Sequence, residues 1–312
     1  MPKVYLTGAS SFTGFHFATS LIESGFDVGI SLSRSFESYE GNYKHRLGIL
    51  KPNVEIFENS SFGSERFISS LENFAPDILS LHHAKVGNFR SPDFSSNEVI
   101  RNNTNNIEKI ADSGILDKMK AIVLTRSVFE KDVGYSDKLE DVGEYGKSKS
   151  GTYKIFKKNL RNKIDLYSFG IANPFGVLEE KRLPNYLIQN WRAAKKPILL
   201  SPDRVRDNIP VNFLAKSYCN YLISILEGVE SKKEFTPSMQ IQTNYEFARL
   251  ISLYSNIFLN KANLDVLCAP KEDWDNSEPR ILIGLDSLPS PDTNEITEFW
   301  QDYISYLWEE SI

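Results

Sequence analysis

Short apolar runs alternate with longer segments in which apolar residues recur at helical spacing, from the start of the chain to about residue 170. Short runs of this kind are typical of strands buried in a parallel sheet, and the longer segments are typical of the helices that cover it. The pattern predicts strands at residues 4–6, 27–33, 54–57, 78–81, 121–124 and 165–169, and helices at residues 12–23, 99–113 and 144–161. Six strands with intervening helices indicate an α/β fold built on a doubly wound parallel sheet.

The rhythm changes after residue 170, where prolines interrupt shorter elements. Helical spacing recurs at residues 183–195, 213–226, 245–258 and 295–309. We therefore predict a sheet domain at residues 1–170 and a smaller mixed α/β domain at residues 171–312, with short segments of the second returning to the sheet. The last helix carries an apolar stripe that predicts a packed core face, with an oligomer contact as the alternative; its members are Phe299, Trp300, Tyr303, Ile304 and Leu307.

Composition narrows the classes of function. The net charge of -5 over 312 residues argues against a nucleic-acid partner, because phosphate contacts need a basic face. Cys219 and Cys268 have no paired spacing, so neither a disulfide framework nor a zinc cluster is indicated. No apolar run approaches the length of a membrane span, and no signal-peptide core is evident. We expect a soluble, cytoplasmic protein with no membrane partner.

A glycine-spaced turn joins the first predicted strand to the first predicted helix, in the sequence Val-Tyr-Leu-Thr-Gly-Ala-Ser-Ser-Phe-Thr-Gly at residues 4–14. In that context Gly8 permits a tight turn and Gly14 lets helix and strand approach closely. The N–H groups at the start of the helix then face a pyrophosphate, which the helix dipole also favours. The predicted dinucleotide site comprises Gly8, Ser10, Ser11, Phe12 and Gly14. The alternative is a glycine-containing loop that binds nothing.

The segment Thr-Gly-Ala-Ser-Ser-Phe-Thr-Gly resembles the TGxxGxxG fingerprint of the extended short-chain dehydrogenase/reductases, the NAD(P)-dependent epimerase/dehydratase family. The resemblance implies a Rossmann sheet that binds NAD(P) in residues 1–170 and a substrate-binding part after it. Ser11 departs from the pattern because it stands where the family has its middle glycine. That departure bears on cofactor affinity rather than on the fold.

Two Tyr-x-x-x-Lys pairs occur, Tyr145 with Lys149 and Tyr153 with Lys157. Four-residue spacing sets both side chains on one helix face, where an ammonium can lower the pKa of a phenol and make it a usable proton donor. Tyr145 begins its helix soon after the strand at residues 121–124, in the family's order, whereas Tyr153 lies about two turns further on. The resemblance therefore implies that Tyr145 and Lys149 are catalytic and also contact the cofactor.

The segment from Leu124 to Phe129 resembles the family's S/T-x-x-V-Y-G stretch. Thr125 matches the hydroxyl that holds the substrate carbonyl against the tyrosine, and Ser127 is the reserve candidate and a predicted substrate contact. The dehydratases of the family carry an acidic pair at the next two positions. Here those positions are Arg126 and Ser127, so dehydration is disfavoured.

The second predicted strand ends without the carboxylate that usually accepts the ribose hydroxyls of NAD. Ser33 and Arg34 stand there instead, and a guanidinium flanked by hydroxyls suits a 2′-phosphate. NADP(H) is therefore favoured, NAD(H) stays possible, and a solvated loop arginine is the alternative. His82 and His83 follow the fourth strand, but adjacent strand residues face opposite sides and no third ligand is suitably spaced, so we predict no metal.

Two segments of the second half resemble the family's substrate region. Asn173 begins a stretch similar to N-x-Y-G-P, and Arg206 begins one similar to R-D-F-x-x-V-x-D. The resemblance makes Asn173 and Arg206 substrate contacts, with Arg206 on the diphosphate of a nucleotide sugar. Arg204 is a nearby alternative, and either arginine could be a solvated surface charge.

Together these features predict an NAD(P)-dependent reductase that transfers hydride to or from a keto or hydroxyl carbon of a nucleotide-linked sugar, with a homodimer as the expected assembly if it is not a monomer. Two alternatives stay open: a nucleotide-sugar 4-epimerase, and a regulatory protein that binds NADP without catalysis.

Overall fold

The computed structural model describes residues 1–84, 93–229, 232–261 and 264–309. Its helices, in chain order, are α1 (Phe12–Glu23), α2 (Gly41–Leu50), α3 (Glu65–Phe74), α4 (Ser96–Asn103), α5 (Ile107–Asp112), α6 (Gly143–Leu160), α7 (Leu183–Arg192), α8 (Val211–Glu227), α9 (Asn244–Leu259) and α10 (Thr293–Glu309). Its strands are β1 (Lys3–Thr7), β2 (Asp27–Ser31), β3 (Glu55–Phe57), β4 (Ile78–Leu81), β5 (Ala121–Ser127), β6 (Tyr135–Ser136), β7 (Asp165–Ile171), β8 (Asn173–Phe175), β9 (Ile198–Leu199), β10 (Val205–Pro210), β11 (Glu234–Phe235), β12 (Pro237–Ser238), β13 (Ile241–Thr243), β14 (Leu267–Cys268), β15 (Ile281–Ile283) and β16 (Asp286–Ser287).

Seven parallel strands form the main sheet in the order β3-β2-β1-β4-β5-β7-β11. Val4 and Leu6 of β1 face a core shared with α1 and α8, whereas Tyr5 between them faces a core shared with α3, α5 and α6. Both faces of the sheet are therefore covered by helices, as the alternation of side chains along a strand requires. The predicted α/β fold with a doubly wound parallel sheet is confirmed, and all six predicted strands are present.

The second half of the chain builds its own sheet and also joins the first. Strand β11 adds to the edge of the main sheet beside β7, and β6, from the first half, pairs with β15 in a five-stranded sheet of order β13-β10-β15-β6 with β8 on β10. Helices α7, α9 and α10 surround an aromatic core that includes Phe175, Phe247 and Trp300. All five residues of the predicted stripe on α10 are buried in that core, so the packed-core prediction is confirmed.

The structure corrects the sequence-based elements in three places. The helix predicted at residues 99–113 is two helices, α4 and α5, because Asn106 adopts a left-handed φ of 52° between them. The strand predicted at residues 27–33 ends at Ser31. Helices α2 and α3 were not predicted at all. Among the described residues no helix combines the length and apolar character that crossing a bilayer demands.

Candidate active site

A cleft of about 640 Å³ opens where the carboxyl ends of β1, β4, β5 and β7 meet segments of the second half of the chain. Ligands of doubly wound sheets bind at this edge, outside the carboxyl ends of the strands. The lining includes eight of the residues that the sequence singled out: Ser11, Phe12, Thr125, Ser127, Tyr145, Lys149, Asn173 and Arg206. The other five lie outside the lining: Gly8, Ser10, Gly14, Ser33 and Arg34.

The glycine turn has the close approach that its spacing predicts. Gly8 adopts a φ of 74°, which side chains disfavour, and a Cβ on Gly14 would lie 2.2 Å from the Gly8 carbonyl oxygen. Helix α1 therefore starts against the turn with no room for a side chain at Gly14.

Ser11, which replaces the family's middle glycine, caps α1. Its hydroxyl donates to the Gly8 carbonyl oxygen at 2.9 Å and accepts from the Gly14 N–H at 3.1 Å. An N-cap hydroxyl satisfies one of the N–H groups that a helix start leaves unpaired. The departure from the fingerprint thus stabilises the turn that it occupies.

His82 links this turn to the end of β5. Its Nδ1 lies 2.9 Å from the Thr125 hydroxyl, and its Nε2 lies 2.8 Å from the Thr13 hydroxyl and 3.1 Å from that of Ser11. Burial lowers the pKa of His82 to about 3, and the charge of Lys149 adds to the effect. The ring is therefore neutral at pH 7, donating from one nitrogen and accepting at the other.

Sequence reasoning missed this bridge, because it considered a functional role for His82 and His83 only as metal ligands. His83 also makes structural contacts, with its Nδ1 3.0 Å from the Thr7 hydroxyl. Among the described residues, no cluster of three His, Cys, Asp or Glu side chains could hold a metal ion.

Tyr145 and Lys149 lie in the cleft with different partners. A hydrogen bond joins the Tyr145 phenol and the Ser127 side chain, and the Thr125 hydroxyl lies 2.9 Å from His82 Nδ1. The Lys149 ammonium donates to the Thr125 carbonyl oxygen at 2.8 Å. Of the two candidate hydroxyls, Ser127 thus bonds the phenol and Thr125 bonds His82.

The ionisation of the phenol differs from the sequence-based expectation. The pKa of Tyr145 is raised to about 12, mainly by burial and also by the Glu130 carboxylate, while the hydrogen bond with Ser127 opposes both. Burial also lowers the pKa of Lys149. The pKa of the phenol is thus raised and not lowered, and Tyr145 is protonated at neutral pH.

The second pair, Tyr153 with Lys157, lies outside the cleft lining. The Tyr153 hydroxyl donates to Glu234 Oε1 at 2.8 Å, and the Arg126 guanidinium lies 3.8 Å from the centroid of its ring. Arg126 in turn bonds Glu130 through Nε at 2.9 Å. Tyr153 is thus part of an ion network between β5 and β11.

Arg34 is exposed at the end of β2, and its guanidinium lies 4.3 Å from the ring centroid of Tyr39. Ser33 beside it is also exposed, with its hydroxyl 3.5 Å from that of Tyr39. No carboxylate among the described residues forms an ion pair with Arg34. Its position is therefore fixed by an aromatic ring while its charge stays accessible.

A buried arginine that sequence reasoning missed, Arg46, bonds the backbone of the glycine turn. Arg46 of α2, fully buried, donates through Nη1 to the Ser10 carbonyl oxygen at 3.0 Å and through Nε to that of Leu178 at 3.2 Å. It also pairs with Glu180 at 2.8 Å. Arg46 thus ties the glycine turn to the loop that follows β8.

On the substrate side, Asn173 donates to the Asn208 side-chain oxygen at 2.5 Å. Arg206, on β10, has its Nη2 2.8 Å from Glu278 Oε2, and both residues line the cleft. Burial lowers the pKa of Arg206, and the Glu278 carboxylate opposes that shift. The neighbouring Asp207 accepts three backbone N–H bonds, which explains its place in the motif as a structural residue.

No protein-family model matches the chain, and no curated protein matches its sequence. Solved structures match it over its whole length. A UDP-glucose 4-epimerase from Thermotoga maritima, solved with UDP-glucose, is 13% identical, with 99% of each chain covered and a TM-score of 0.69. A dTDP-glucose 4,6-dehydratase from Streptomyces venezuelae, solved with NAD, is 15% identical over 99% of this chain and 100% of that one, with a TM-score of 0.71. A UDP-N-acetylglucosamine 4-epimerase from Methanobrevibacter ruminantium is 18% identical, with 99% of each chain covered and a TM-score of 0.67. At these identities the likeness shows the fold, and in fold the resemblance to nucleotide-sugar epimerases and dehydratases is confirmed.

Proposed function

We propose that this chain, which has the fold of the extended short-chain dehydrogenase/reductases, is an NADP(H)-dependent oxidoreductase acting on a keto or hydroxyl carbon of a nucleotide-linked sugar. One observation carries the proposal. A single cleft joins the glycine turn, the Tyr145–Lys149 pair and the Asn173 and Arg206 side of the second half. Cofactor loop, proton donor and substrate arginine are thus within one site, as hydride transfer to a carbonyl requires.

The residues fit a dinucleotide. The start of α1 offers N–H groups and the positive end of a helix dipole to a pyrophosphate, and Gly14 allows the turn to pack directly beneath. Arg34, exposed and stacked on Tyr39, suits the 2′-phosphate that distinguishes NADP(H) from NAD(H). When bound, the nicotinamide supplies or accepts the hydride.

Tyr145 is the proton donor in this proposal. Because its pKa is about 12, the phenol carries its proton at neutral pH and can deliver it to the oxygen of a carbonyl that gains hydride. Ser127 holds the phenol by its hydrogen bond, and Thr125, fixed by His82, presents a second hydroxyl close by. Lys149 adds a positive charge that stabilises the phenolate left after proton transfer.

The nucleotide-sugar assignment rests on the cleft and on the neighbours. Similar folds include enzymes named for UDP-glucose, UDP-N-acetylglucosamine and dTDP-glucose. Dehydration is disfavoured, because Arg126 and Ser127 stand where the dehydratases carry their acidic pair and Arg126 is bonded to Glu130. A cytoplasmic location and a homodimer stay predictions from the sequence.

A 4-epimerase is the second candidate, favoured by the names of several structural neighbours. An epimerase oxidises and reduces the same carbon without net change, whereas a reductase consumes NADPH. Both candidate activities would use the same cleft, but only the reductase would consume one cofactor molecule for each product formed.

The proposal is tested with NADPH that carries deuterium on the transferable position and a panel of UDP-, dTDP-, GDP- and CDP-linked 4-keto sugars. We expect deuterium in the sugar product, detected by mass spectrometry, with one NADPH consumed for each product. Interconversion of sugar epimers without NADPH consumption selects the epimerase. Saturable NADPH binding with no turnover of any sugar supports the non-catalytic alternative instead.

A further inference from the structure

The partners of Arg206 restrict what can bind at the substrate end of the cleft. Its Nη1 donates to the carbonyl oxygens of Val205 at 2.7 Å and Arg280 at 3.2 Å. Its Nη2 donates to the Pro279 carbonyl oxygen at 3.2 Å and to Glu278 Oε2 at 2.8 Å. The four N–H bonds of the two Nη atoms are therefore all engaged by the chain itself.

Only one of these four partners can leave without a change of backbone. Three are main-chain carbonyl oxygens, which fix the plane of the guanidinium, and the fourth is the side chain of Glu278, which is 29% exposed. The Arg206 side chain itself is 9% exposed, so its charge needs a close counter-charge. At the Nη atoms of Arg206, a ligand anion can bind only by taking the place of the Glu278 carboxylate.

A second arginine, Arg204, lies near Glu278 and can pair with its carboxylate after displacement. Nη1 of Arg204 lies 3.5 Å from the same Oε2 atom of Glu278, and its Nη2 lies 3.2 Å from Asp275 Oδ2. Arg204 is therefore held near Glu278 by an independent partner. Glu278 can shift towards Arg204 while an incoming anion takes over Arg206.

We propose that Glu278 is a specificity-determining residue. Its carboxylate pairs with Arg206 when no ligand is bound, and a diphosphate displaces it more readily than a monophosphate does. The inference rests on the proposed function and deepens it. A ligand with one terminal phosphate only replaces the Glu278 carboxylate as the charged partner of Arg206, so the exchange adds little binding free energy. A diphosphate offers more charge and more acceptor oxygens, so it can bond Arg206 while still attracting Arg204.

The test compares UDP and UMP binding by calorimetry at fixed ionic strength in wild-type protein and in Glu278→Gln, with NADPH present. Removing the competing charge should tighten UDP binding by about tenfold, the scale of one charged hydrogen bond. The affinity for UMP should rise by a larger factor than the affinity for UDP, so the ratio of the two affinities becomes smaller. Glu65→Gln is the matched control, since the charge change is identical but Glu65 and its partner Lys109 lie outside the cleft lining. It should leave both affinities nearly unchanged.

Glu278→Asp is a second variant that keeps the charge but shortens the reach to Arg206, and it should also tighten UDP, by less. Thermal unfolding of each variant confirms that it is folded. Equal or weaker UDP binding by Glu278→Gln, or an equal gain in UDP affinity in Glu65→Gln, overturns the inference, as does the absence of UDP binding in every variant. Failure of the oxidoreductase proposal is distinct, because it shows as absence of NADPH binding in a separate titration of the same proteins with NADPH.

Discussion

At the residue scale, the two Tyr-x-x-x-Lys pairs are told apart by what each phenol contacts. Tyr145 bonds Ser127 inside the cleft, whereas Tyr153 lies outside the cleft lining and bonds Glu234. Tyr145→Phe removes only the hydroxyl, so the fold should survive while kcat falls by about two to four orders of magnitude, the contribution of a general acid. Steady-state kinetics measures this change. Tyr153→Phe is the matched control and should keep nearly all activity; an active Tyr145→Phe enzyme contradicts the mechanism.

The two hydroxyls at the end of β5, those of Ser127 and Thr125, also have different partners and should have different roles. Ser127→Ala removes the hydrogen bond that opposes the high pKa of Tyr145, so that pKa should rise and kcat should fall by at least about tenfold. Thr125→Val removes the partner of His82 and should act mainly on cofactor affinity, through the turn that His82 contacts. Steady-state kinetics of the two variants separates these roles: Ser127→Ala should change mainly kcat, and Thr125→Val should change mainly the KM for the cofactor. A larger kcat loss in Thr125→Val would return the role to the hydroxyl that the family resemblance favours.

In the proposed function, Arg34 sets the preference for NADPH over NADH. Arg34→Ala should weaken NADPH binding by about 1.5–3 kcal/mol, the range for a charged hydrogen bond, and leave NADH binding nearly unchanged. Fluorescence titration with each reduced cofactor gives both numbers. Equal losses for NADPH and NADH would mean that Arg34 acts as a general or structural charge.

The position of a residue in the cleft was predictable where one segment of the sequence indicates it, and contacts between distant segments were not. The sequence order after the strand at residues 121–124 pointed to Tyr145 and Lys149, and both lie in the cleft. The pairing of Arg206 with Glu278 joins positions 72 residues apart, and His82 meets Thr125 across 43 residues. No local pattern reports such contacts, because they depend on how strands and loops are brought together.

At the element scale, the junction of β1 and α1 leaves no space for one carbon atom. Gly14→Ala places a Cβ 2.2 Å from the Gly8 carbonyl oxygen, so α1 must move away from the turn. We expect at least about a tenfold loss of NADPH affinity, because misplacement of about 1 Å has effects of that order or larger. Gly48→Ala, also in a helix but in open space, should keep the affinity and raise the free energy of unfolding by about 0.5–1 kcal/mol. Unchanged NADPH binding in Gly14→Ala contradicts the assigned turn.

The elements that sequence reasoning missed or misplaced have physical explanations. Helix α2 buries a charged residue, Arg46, on its inner face, so its apolar stripe is incomplete. Helix α3 carried a usable signal that was not interpreted: Ser64 caps it, and Phe67 and Leu71 are buried at helical spacing. The two-residue strand β11 is too short to give a period of its own, and it is positioned by the edge of β7.

At the scale of the whole molecule, stability should depend on pH through histidines held neutral by packing. Burial lowers the pKa of His16 to about 4, although its ring bonds the Val177 carbonyl oxygen at 3.0 Å. Between pH 6.5 and 4 the unfolded chain binds a proton that the folded chain does not, so stability falls as the pH falls. His16→Gln should remove about 1–2 kcal/mol of the loss between pH 7 and pH 5, measured by urea unfolding at both. His45→Gln, at an exposed position, is the control and should keep the wild-type pH dependence; the same dependence in His16→Gln contradicts the assignment.

The two halves of the chain interlock. Helix α8 packs with α1 in one core, and β11 extends the main sheet, so the second half completes the first. The domain boundary at residue 170 stays a prediction from the sequence.

The proposed function requires that the cleft binds a nicotinamide dinucleotide with a preference for the 2′-phosphate. Titration of the purified chain with NADPH and with NADH, followed by cofactor fluorescence, measures this binding. We expect saturable binding of one NADPH per chain and clearly weaker binding of NADH. Absence of a saturable signal with either cofactor would contradict it.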